Sequence, residues 1–151
     1  EPISALDTSS QAQVANLLVD LVHEFKMGMV FISHDLSIVR RISDRVAVMY
    51  LGKIVEIGNT SQIWENPSHP YTRALVSAIP HADGASFMPS DLPGDVPNPM
   101  NPPSGCRFHP RCQLALPKCT TEEPQFVTLS DNREVSCFLQ KEGESPASIT
   151  L

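Results

Sequence analysis

Proline is concentrated in one stretch of the sequence, and this distribution limits the fold more than any other feature. Residues 80–103 contain seven of the 14 prolines. Proline lacks a backbone N–H and has a fixed φ, so this stretch is a poor candidate for a helix interior or a central strand. Residues 1–79 have the apolar patterning of regular α/β structure, and all four cysteines follow the proline-rich stretch. We therefore predict an α/β part at 1–79, a connector at 80–103, a small irregular cysteine-bearing module at 104–138 and a frayed tail at 139–151.

The charge and hydropathy of the sequence argue against two broad classes of partner. The net charge is −6 and no run of basic residues is present, whereas a nucleic-acid surface needs a concentrated basic face. We therefore expect no nucleic-acid partner. No apolar stretch reaches the roughly 20 residues that a transmembrane helix needs. We expect any role at a membrane to depend on a partner protein.

The first predicted elements are an amphipathic helix, a buried strand and a second helix. Apolar residues recur at helical spacing along 9–27, a capping residue is available within 7–9, and Gly28 is suited to end the helix. The apolar run "MVFIS" at 29–33 is typical of a buried parallel strand. A helix from about 35–42 follows.

The next predicted elements are a β-hairpin and a short helix. The strands at 46–50 and 53–57 flank a two-residue Leu-Gly turn, and Met49 is assigned to the core. The segment 71–79 reads as a helix with Pro70 in its first turn. A buried parallel strand needs neighbours on both sides, and none precedes it here. We therefore predict an α/β fold that represents the second half of a doubly wound sheet domain, with the first half absent.

Two short motifs carry a resemblance to a known family. "EPISALD" at 1–7 and "VFISHD" at 30–35 resemble the ATPase subunit of an ABC transporter, which has a RecA-like nucleotide-binding domain. The resemblance continues through "RVAVMYLGKIVEIG". "NPSHPYTRALVSAIP" together with "NPPSGCRFHPRC" is similar specifically to the oligopeptide and dipeptide importer ATPases. The resemblance as a whole extends over roughly residues 1–138.

The resemblance implies a role for each residue of these motifs. Glu1 matches the catalytic glutamate that polarises the attacking water, and His34 matches the switch histidine that contacts the γ-phosphate. Such carboxylate and imidazole groups suit phosphoryl transfer, which depends on positioning and charge stabilisation. The loop that faces the partner subunit corresponds to Ser4, Ala5, Leu6 and Asp7. Each motif alone also fits a structural role: Glu1 as a solvated charge, His34 as a turn residue, and Asp7 as a helix cap.

Other motifs of the family are missing from the sequence. It has no G-x-x-x-x-G-K-[ST] phosphate loop and no Leu-Ser-Gly-Gly-Gln signature. We therefore expect the chain to be the C-terminal part of a longer ATPase and to be inactive alone.

The resemblance also implies cofactors, partners and a location for the complete subunit. These are ATP and Mg²⁺, a second ABC ATPase subunit, two membrane permeases, indirectly an extracytoplasmic solute-binding protein, and a peripheral position on the cytoplasmic side of the inner membrane. The cargo stays open among dipeptides, oligopeptides, nickel and glutathione.

Four cysteines have the spacing C-x5-C-x6-C-x17-C, and they are Cys106, Cys112, Cys119 and Cys137. Zinc sites and ferredoxins use closer pairs, so the spacing does not select a metal. Four unrelated thiols are the simplest alternative. In the peptide-importer ATPases a similar pattern holds a [4Fe–4S] cluster, and this resemblance favours a cluster over zinc and zinc over free thiols. Arg107, Arg111 and Lys118 are candidate cationic neighbours, and His109 is a reserve ligand.

Two other functions are alternatives to the importer ATPase. One is a self-contained metal-binding or interaction module at 80–138, preceded by decayed ATPase sequence. The other is a soluble ABC-type ATPase of DNA repair or translation, which the hairpin, "HPYTRAL" and the cysteines disfavour. We also expect self-association through an apolar face of the first helix, formed by Val14, Leu17, Leu21 or Phe25, because this face lacks a sheet to cover.

Overall fold

The computed structural model describes residues 7–79 and 92–147, and the chain divides into two compact units, 1–44 and 45–151. The first unit contains α1 (Thr8–Phe25) and α2 (Leu36–Ile42). The second contains β1 (Arg45–Tyr50), β2 (Lys53–Asn59), α3 (Thr60–Glu65), α4 (Pro70–Ser77), 3₁₀ turns at His109–Arg111 and Pro117–Thr120, β3 (Val127–Thr128) and β4 (Glu134–Val135). None of these helices is long and apolar enough to cross a bilayer.

Helix α1 is bounded by two capping residues. The Asp7 carboxylate accepts a hydrogen bond from the Ser10 backbone N–H at 3.0 Å, which satisfies one of the free donors of the first turn. At the other end Lys26 adopts a left-handed conformation with φ of 50°, and the Met27 N–H closes back on the Val22 carbonyl at 3.0 Å. The prediction that Gly28 ends the helix is therefore wrong, because the helix ends about half a turn earlier.

The predicted strand at 29–33 is not formed. These residues are irregular, and the side chains of Val30 and Ile32 are 93% and 72% exposed. A parallel strand is stabilised only by hydrogen bonds to neighbouring strands. The described part of the chain offers no parallel neighbour, because its four strands form one antiparallel sheet. The described residues therefore form a small α/β fragment with an antiparallel sheet, and the correction concerns the buried parallel strand predicted at 29–33.

The β1–β2 hairpin is confirmed and forms one side of the sheet, whose strand order is β1-β2-β4-β3. Its turn residues Leu51 and Gly52 both have positive φ, 45° and 77°, as a type I′ turn requires. The alternate burial along β1 places Val48 inward, whereas Met49 is 58% exposed. The assignment of Met49 to the core is wrong because the pleat directs it to the outer face.

Strand β4 brings the cysteine-bearing part of the chain onto this hairpin. Glu56 of β2 pairs with Val135 of β4, and Val127 of β3 pairs with Val135 on its other side. The module predicted as irregular therefore contributes two short strands to the sheet. Of the predicted connector, 92–103 contains no helix or strand, and 80–91 lies outside the described residues.

A buried polar network joins β2, β4 and the loop before α4. The Glu56 carboxylate is fully buried and accepts hydrogen bonds from the backbone N–H groups of Ser68 at 2.7 Å and His69 at 2.9 Å. Arg133 Nη1 lies 3.4 Å from the same carboxylate, and its Nη2 donates to Asp131 at 2.6 Å. The charged pair is thus supplied with the additional hydrogen bonds that a buried ion pair needs.

The residues after Cys137 are also held in place. Gln140 is buried, and its side-chain amide donates to the Ser68 carbonyl at 2.9 Å and accepts from the Ala147 N–H at 2.9 Å. The predicted tail thus makes contacts with the second unit as far as residue 147, and residues 148–151 lie outside the described part.

Candidate functional site

The residues predicted to act on ATP fall mostly outside the described part of the chain. Glu1, Ser4, Ala5 and Leu6 lie there, so their catalytic and loop roles stay predictions. Asp7 is described and caps α1. Hydrogen bonds from the Ser10 backbone N–H and hydroxyl hold the pKa of the Asp7 carboxyl below its usual range. This is the structural role that the sequence also allowed for Asp7.

His34 lies in an exposed bend immediately before α2. The next residue, Asp35, caps that helix and accepts hydrogen bonds from the Ser37 and Ile38 backbone N–H groups at 2.9 and 3.3 Å. The pKa of Asp35 is lowered chiefly by the Ser37 hydroxyl, with a smaller contribution from His34. The cap fixes the backbone next to His34 and leaves its ring exposed. Because Glu1 is not described, the joint action of Glu1 and His34 on one nucleotide is not tested, and their catalytic roles stay predictions.

The four cysteines line one cavity in the second unit. Its volume is about 20 Å³, close to the space of one water molecule. All four are free thiols, with one buried and three partly buried. The cavity is lined by Cys106, Cys112, Cys119, Cys137, His69, His109, Pro70, Phe108, Leu114, Phe138 and Leu139. The fold therefore brings together thiols that are up to 31 positions apart in the sequence.

Short turns position the thiols around this cavity. The Cys106 N–H donates to the Cys119 carbonyl at 2.9 Å, which ties the two cysteine loops together. Gly105 has a φ of 65°, and a Cβ there would lie 2.5 Å from the Cys119 carbonyl oxygen. Only glycine fits this close approach. Cys112 ends the first 3₁₀ turn, and Cys137 lies two residues after the end of β4.

Burial favours the neutral form of three of the thiols, those of Cys106, Cys112 and Cys137. Desolvation raises the pKa of Cys106 and Cys112, and it raises the pKa of Cys137 to about 12. Neighbouring thiols add to each of these shifts. Since the thiolate is the metal-binding form, a bound metal would have to supply the positive charge that removes these protons.

The cationic residues between the cysteines bind other groups. Arg107 Nη1 donates to the Leu51 carbonyl in the hairpin turn, and Arg111 Nε donates to the Pro93 carbonyl at 3.3 Å. Lys118 Nζ lies 4.1 Å from the centre of the Phe138 ring. These contacts fix the loops around the cavity. Their proposed effect on an anionic group stays a prediction.

The geometry does not present a site for a single metal ion. Among the described residues, no group of three or more His, Cys, Asp or Glu side chains could hold one. The four thiols share a cavity without converging as donors on one point. The prediction of a metal group at these cysteines therefore has no direct support and is treated below as a proposal.

Two histidines line the cavity, and their Nδ1 atoms have opposite roles in hydrogen bonds. The Tyr71 backbone N–H donates to His69 Nδ1 at 3.1 Å, which caps α4. His109 Nδ1 lies 2.9 Å from the Cys106 carbonyl and must be the donor there, because a carbonyl only accepts. The sequence interpretation included His109 and missed His69. A histidine directly before the helix-starting Pro70 was the available signal, since this is the N-cap position.

Comparisons with known proteins give a consistent result. Residues 55–119 match a family model described as the C-terminal region of oligopeptide/dipeptide transporters. The chain is 50% identical over 141 residues to a probable peptide ABC transporter ATP-binding protein of Sinorhizobium fredii, covering 93% of this chain and 40% of that protein. It is 49% identical over 139 residues to a dipeptide transport ATP-binding protein of Haemophilus influenzae, covering 91% and 42%.

A further relative agrees with these two. The chain is 48% identical over 142 residues to an oligopeptide transport ATP-binding protein of Bacillus subtilis, covering 92% of this chain and 43% of that protein. The chain therefore spans about two-fifths of the length of these curated relatives.

Proposed function

We propose that this chain, a member of the oligopeptide/dipeptide transporter family of ABC ATP-binding proteins, is the C-terminal part of the ATP-hydrolysing subunit of an importer for peptides or similar small solutes. The observation that carries the proposal is the identity of about half of the residues over more than nine-tenths of the chain. The complete subunit would bind ATP and Mg²⁺ and act with a second ATPase subunit and two permeases. A solute-binding protein would deliver the cargo, and the ATPase would sit on the cytoplasmic face of the inner membrane.

The catalytic part of the proposal assigns a step to each residue. Glu1 orients and polarises the water that attacks the γ-phosphoryl group, and His34 donates to an oxygen of that group. The exposure of His34 supports this, because its ring is accessible to a nucleotide. The loop from Ser4 to Asp7 faces the second subunit, and the Asp7 cap sets the direction in which α1 leaves it.

Two substitutions in the complete subunit test the catalytic roles. Glu1→Gln should leave ATP bound and largely unhydrolysed, and His34→Ala should reduce ATP turnover sharply without abolishing binding. Substitution of His23, which is also exposed, by Ala is the matched control for His34. Turnover at the wild-type rate in Glu1→Gln and His34→Ala would overturn the assignment.

The chain alone should not hydrolyse ATP. Its sequence contains no phosphate loop that would hold the β- and γ-phosphates. If the purified chain hydrolysed ATP, and Glu1→Gln hydrolysed it at the same rate, the proposal that this chain needs the rest of the subunit for hydrolysis would be contradicted.

We further propose that the four cysteines hold a [4Fe–4S] cluster. Four thiols on one cavity match the ligand number and type of such a cluster. The cavity of about 20 Å³ has room for one water molecule and not for a cluster, so the loops that carry the cysteines would have to separate when the cluster binds. Each cysteine would bind a different iron, so the sulfur atoms need not converge on one point, as they must around a single zinc ion. The apolar residues of the cavity wall exclude water from the group. When bound, the cluster would supply a redox-active link between the loops that carry its ligands.

Metal analysis tests the cluster directly. Protein prepared without oxygen should be brown and contain iron and sulfide in equal amounts. A Ser substitution at any one of Cys106, Cys112, Cys119 or Cys137 should weaken or remove the colour. Stoichiometric zinc without iron would overturn the cluster and leave a structural zinc site instead.

A further inference from the structure

Cys106 and Cys119 belong to two chain segments that run side by side in the second unit. The Cys106 N–H donates to the Cys119 carbonyl at 2.9 Å, and the Ser104 hydroxyl donates to the Thr120 carbonyl at 2.7 Å. A hydrogen bond between the backbone groups of two residues places their Cα atoms about 5–6 Å apart, as in paired strands. Disulfides join residues whose Cα atoms are about 4.4–6.8 Å apart. The backbone separation of this pair is therefore suitable for a disulfide.

The two residues also meet on the same side of this backbone contact. Both line the cavity of about 20 Å³, which is close to the space of one water molecule, and both are free thiols. Burial contributes most to the raised pKa of Cys106, and the nearby Cys119 thiol adds to it. A disulfide needs only two neighbouring sulfur atoms, so it does not require the convergence of three or more donors that a single metal ion requires.

The backbones of both residues are held in place. The Cys106 carbonyl accepts from the His109 N–H at 2.9 Å, and the Cys119 N–H donates to the Leu116 carbonyl at 2.9 Å. Gly105 allows the close approach of the two segments, because a Cβ there would lie 2.5 Å from the Cys119 carbonyl oxygen. The fold has therefore already closed the loop between the two cysteines, and a disulfide should form more readily here than in the unfolded chain.

We propose that Cys106 and Cys119 are a redox modification site, at which a small-molecule disulfide such as oxidised glutathione converts the two thiols to an intramolecular disulfide. Cys106, the more accessible of the two residues, loses its proton and attacks one sulfur of the small disulfide. That S–S bond breaks, and the released thiolate takes up the proton. The Cys119 thiolate then attacks the Cys106 sulfur, and the second small thiol leaves with the Cys119 proton. Two cysteine thiols are oxidised, and one small disulfide is reduced to two thiols.

The disulfide would join the two ends of the loop that carries Cys112. It would also remove two of the four thiols from any metal group. The proposal concerns the reduced, metal-free chain and does not depend on the [4Fe–4S] assignment. Failure of one therefore leaves the other standing.

Two double variants of the 151-residue chain separate this pair from the other two cysteines. Cys112→Ser with Cys137→Ser leaves Cys106 and Cys119. Cys106→Ser with Cys119→Ser leaves Cys112 and Cys137 as the matched control pair. Each chain is reduced, freed of metal with a chelator, and equilibrated with mixtures of reduced and oxidised glutathione, both folded and in urea. Mass spectrometry of the quenched samples distinguishes an intramolecular disulfide from glutathione adducts.

We expect the chain that keeps Cys106 and Cys119 to form its disulfide at a ratio of oxidised to reduced glutathione about tenfold or more lower when folded than in urea. The control pair should show a smaller difference. In the wild type, which needs no substitution in the cavity, peptide mapping should identify the Cys106–Cys119 link as the first disulfide. Equal ratios for this pair in the folded and urea-treated chain, glutathione adducts in place of the link, or a different first pairing in the wild type would overturn the proposal.

Discussion

Glu56 occupies a position in β2 where an apolar side chain would ordinarily lie. Its carboxylate has three partners in the buried network. Two are backbone N–H groups of the loop before α4, and the third is the Arg133 guanidinium beside β4. Removal of the Glu56 charge leaves Arg133 paired with Asp131 alone and takes the carboxylate away from the two N–H groups. Because Arg133 lies beside β4, the loop before α4 can pack around this pair only when β4 is correctly placed.

Substitution of Glu56 by Gln should be strongly destabilising. The shape is retained and Arg133 keeps its ion pair with Asp131, but an amide cannot accept from both the Ser68 and His69 N–H groups, so we expect the free energy of unfolding to fall by about 1–3 kcal/mol. Glu144→Gln makes the same chemical change in the exposed pair with Lys141 and should cost no more than about 1 kcal/mol. Urea unfolding of both variants provides the comparison, and similar losses in the two would contradict the role given to Glu56.

Gly105 lies very close to the second 3₁₀ turn, and an alanine substitution tests whether this contact excludes a Cβ. Gly94 provides the control. Gly105 and Gly94 have similar φ values, 65° and 71°, but a Cβ at Gly94 would meet nothing within 4 Å. Alanine at either site has the same left-handed strain, roughly 1–2 kcal/mol. Only Gly105→Ala should add a steric term of about 1–3 kcal/mol, because its Cβ would overlap the Cys119 carbonyl. Thermal unfolding of both variants measures this difference, and equal midpoints would show that the loops separate without cost.

At one position in the turn of the β1–β2 hairpin, we expect one substitution to stabilise the protein and another to destabilise it. Leu51 has a φ of 45°, which Asn tolerates better than Leu and which a β-branched residue tolerates worse. We expect Leu51→Asn to raise the free energy of unfolding by about 0.5–1 kcal/mol and Leu51→Val to lower it by roughly 1–2 kcal/mol. Urea unfolding checks both, and the opposite order would indicate that the Leu51 side chain matters more than its backbone.

The sequence predicted the elements whose signals are local. Helices α2 and α4 have an Asp cap and a starting Pro, and the hairpin has its two-residue turn. Helix α3 was missed although its signal was present: Gln62 reaches back to the Asn59 N–H at 2.8 Å, half of a capping box. Strands β3 and β4 have two residues each, too few to show a period, and they form only because distant residues pair with them.

The candidate site shows the same division between local and distant signals. The family resemblance implied a shared site for the four cysteines, and the fold places all four on one cavity. Their spacing could not report the distances between the thiols, which depend on the pairing of β4 with β2. The strand at 29–33 failed for a related reason, since its composition was suitable but no neighbouring strand is described.

At the scale of the whole chain, the exposed face of α1 predicts self-association. Leu17 and Phe25 are 56% and 62% exposed, and burial of a large apolar side chain is worth roughly 1.5–3 kcal/mol. We expect a concentration-dependent dimer in sedimentation experiments that Leu17→Glu disperses. Asp20→Asn, on an exposed position of the same helix, should leave the dimer intact. A monomer at all concentrations would mean that this face needs no cover.

The pairing of β2 with β4 also has a consequence for the chain as it is made. Val135 is synthesised 79 residues after Glu56, which at about 5–20 residues per second corresponds to about 4–16 s on the ribosome. During this interval β2, a central strand of the finished sheet, has one open edge. Such an edge readily accepts a strand from another nascent chain, so the period before Val135 emerges is the one in which this protein is most exposed to mispairing.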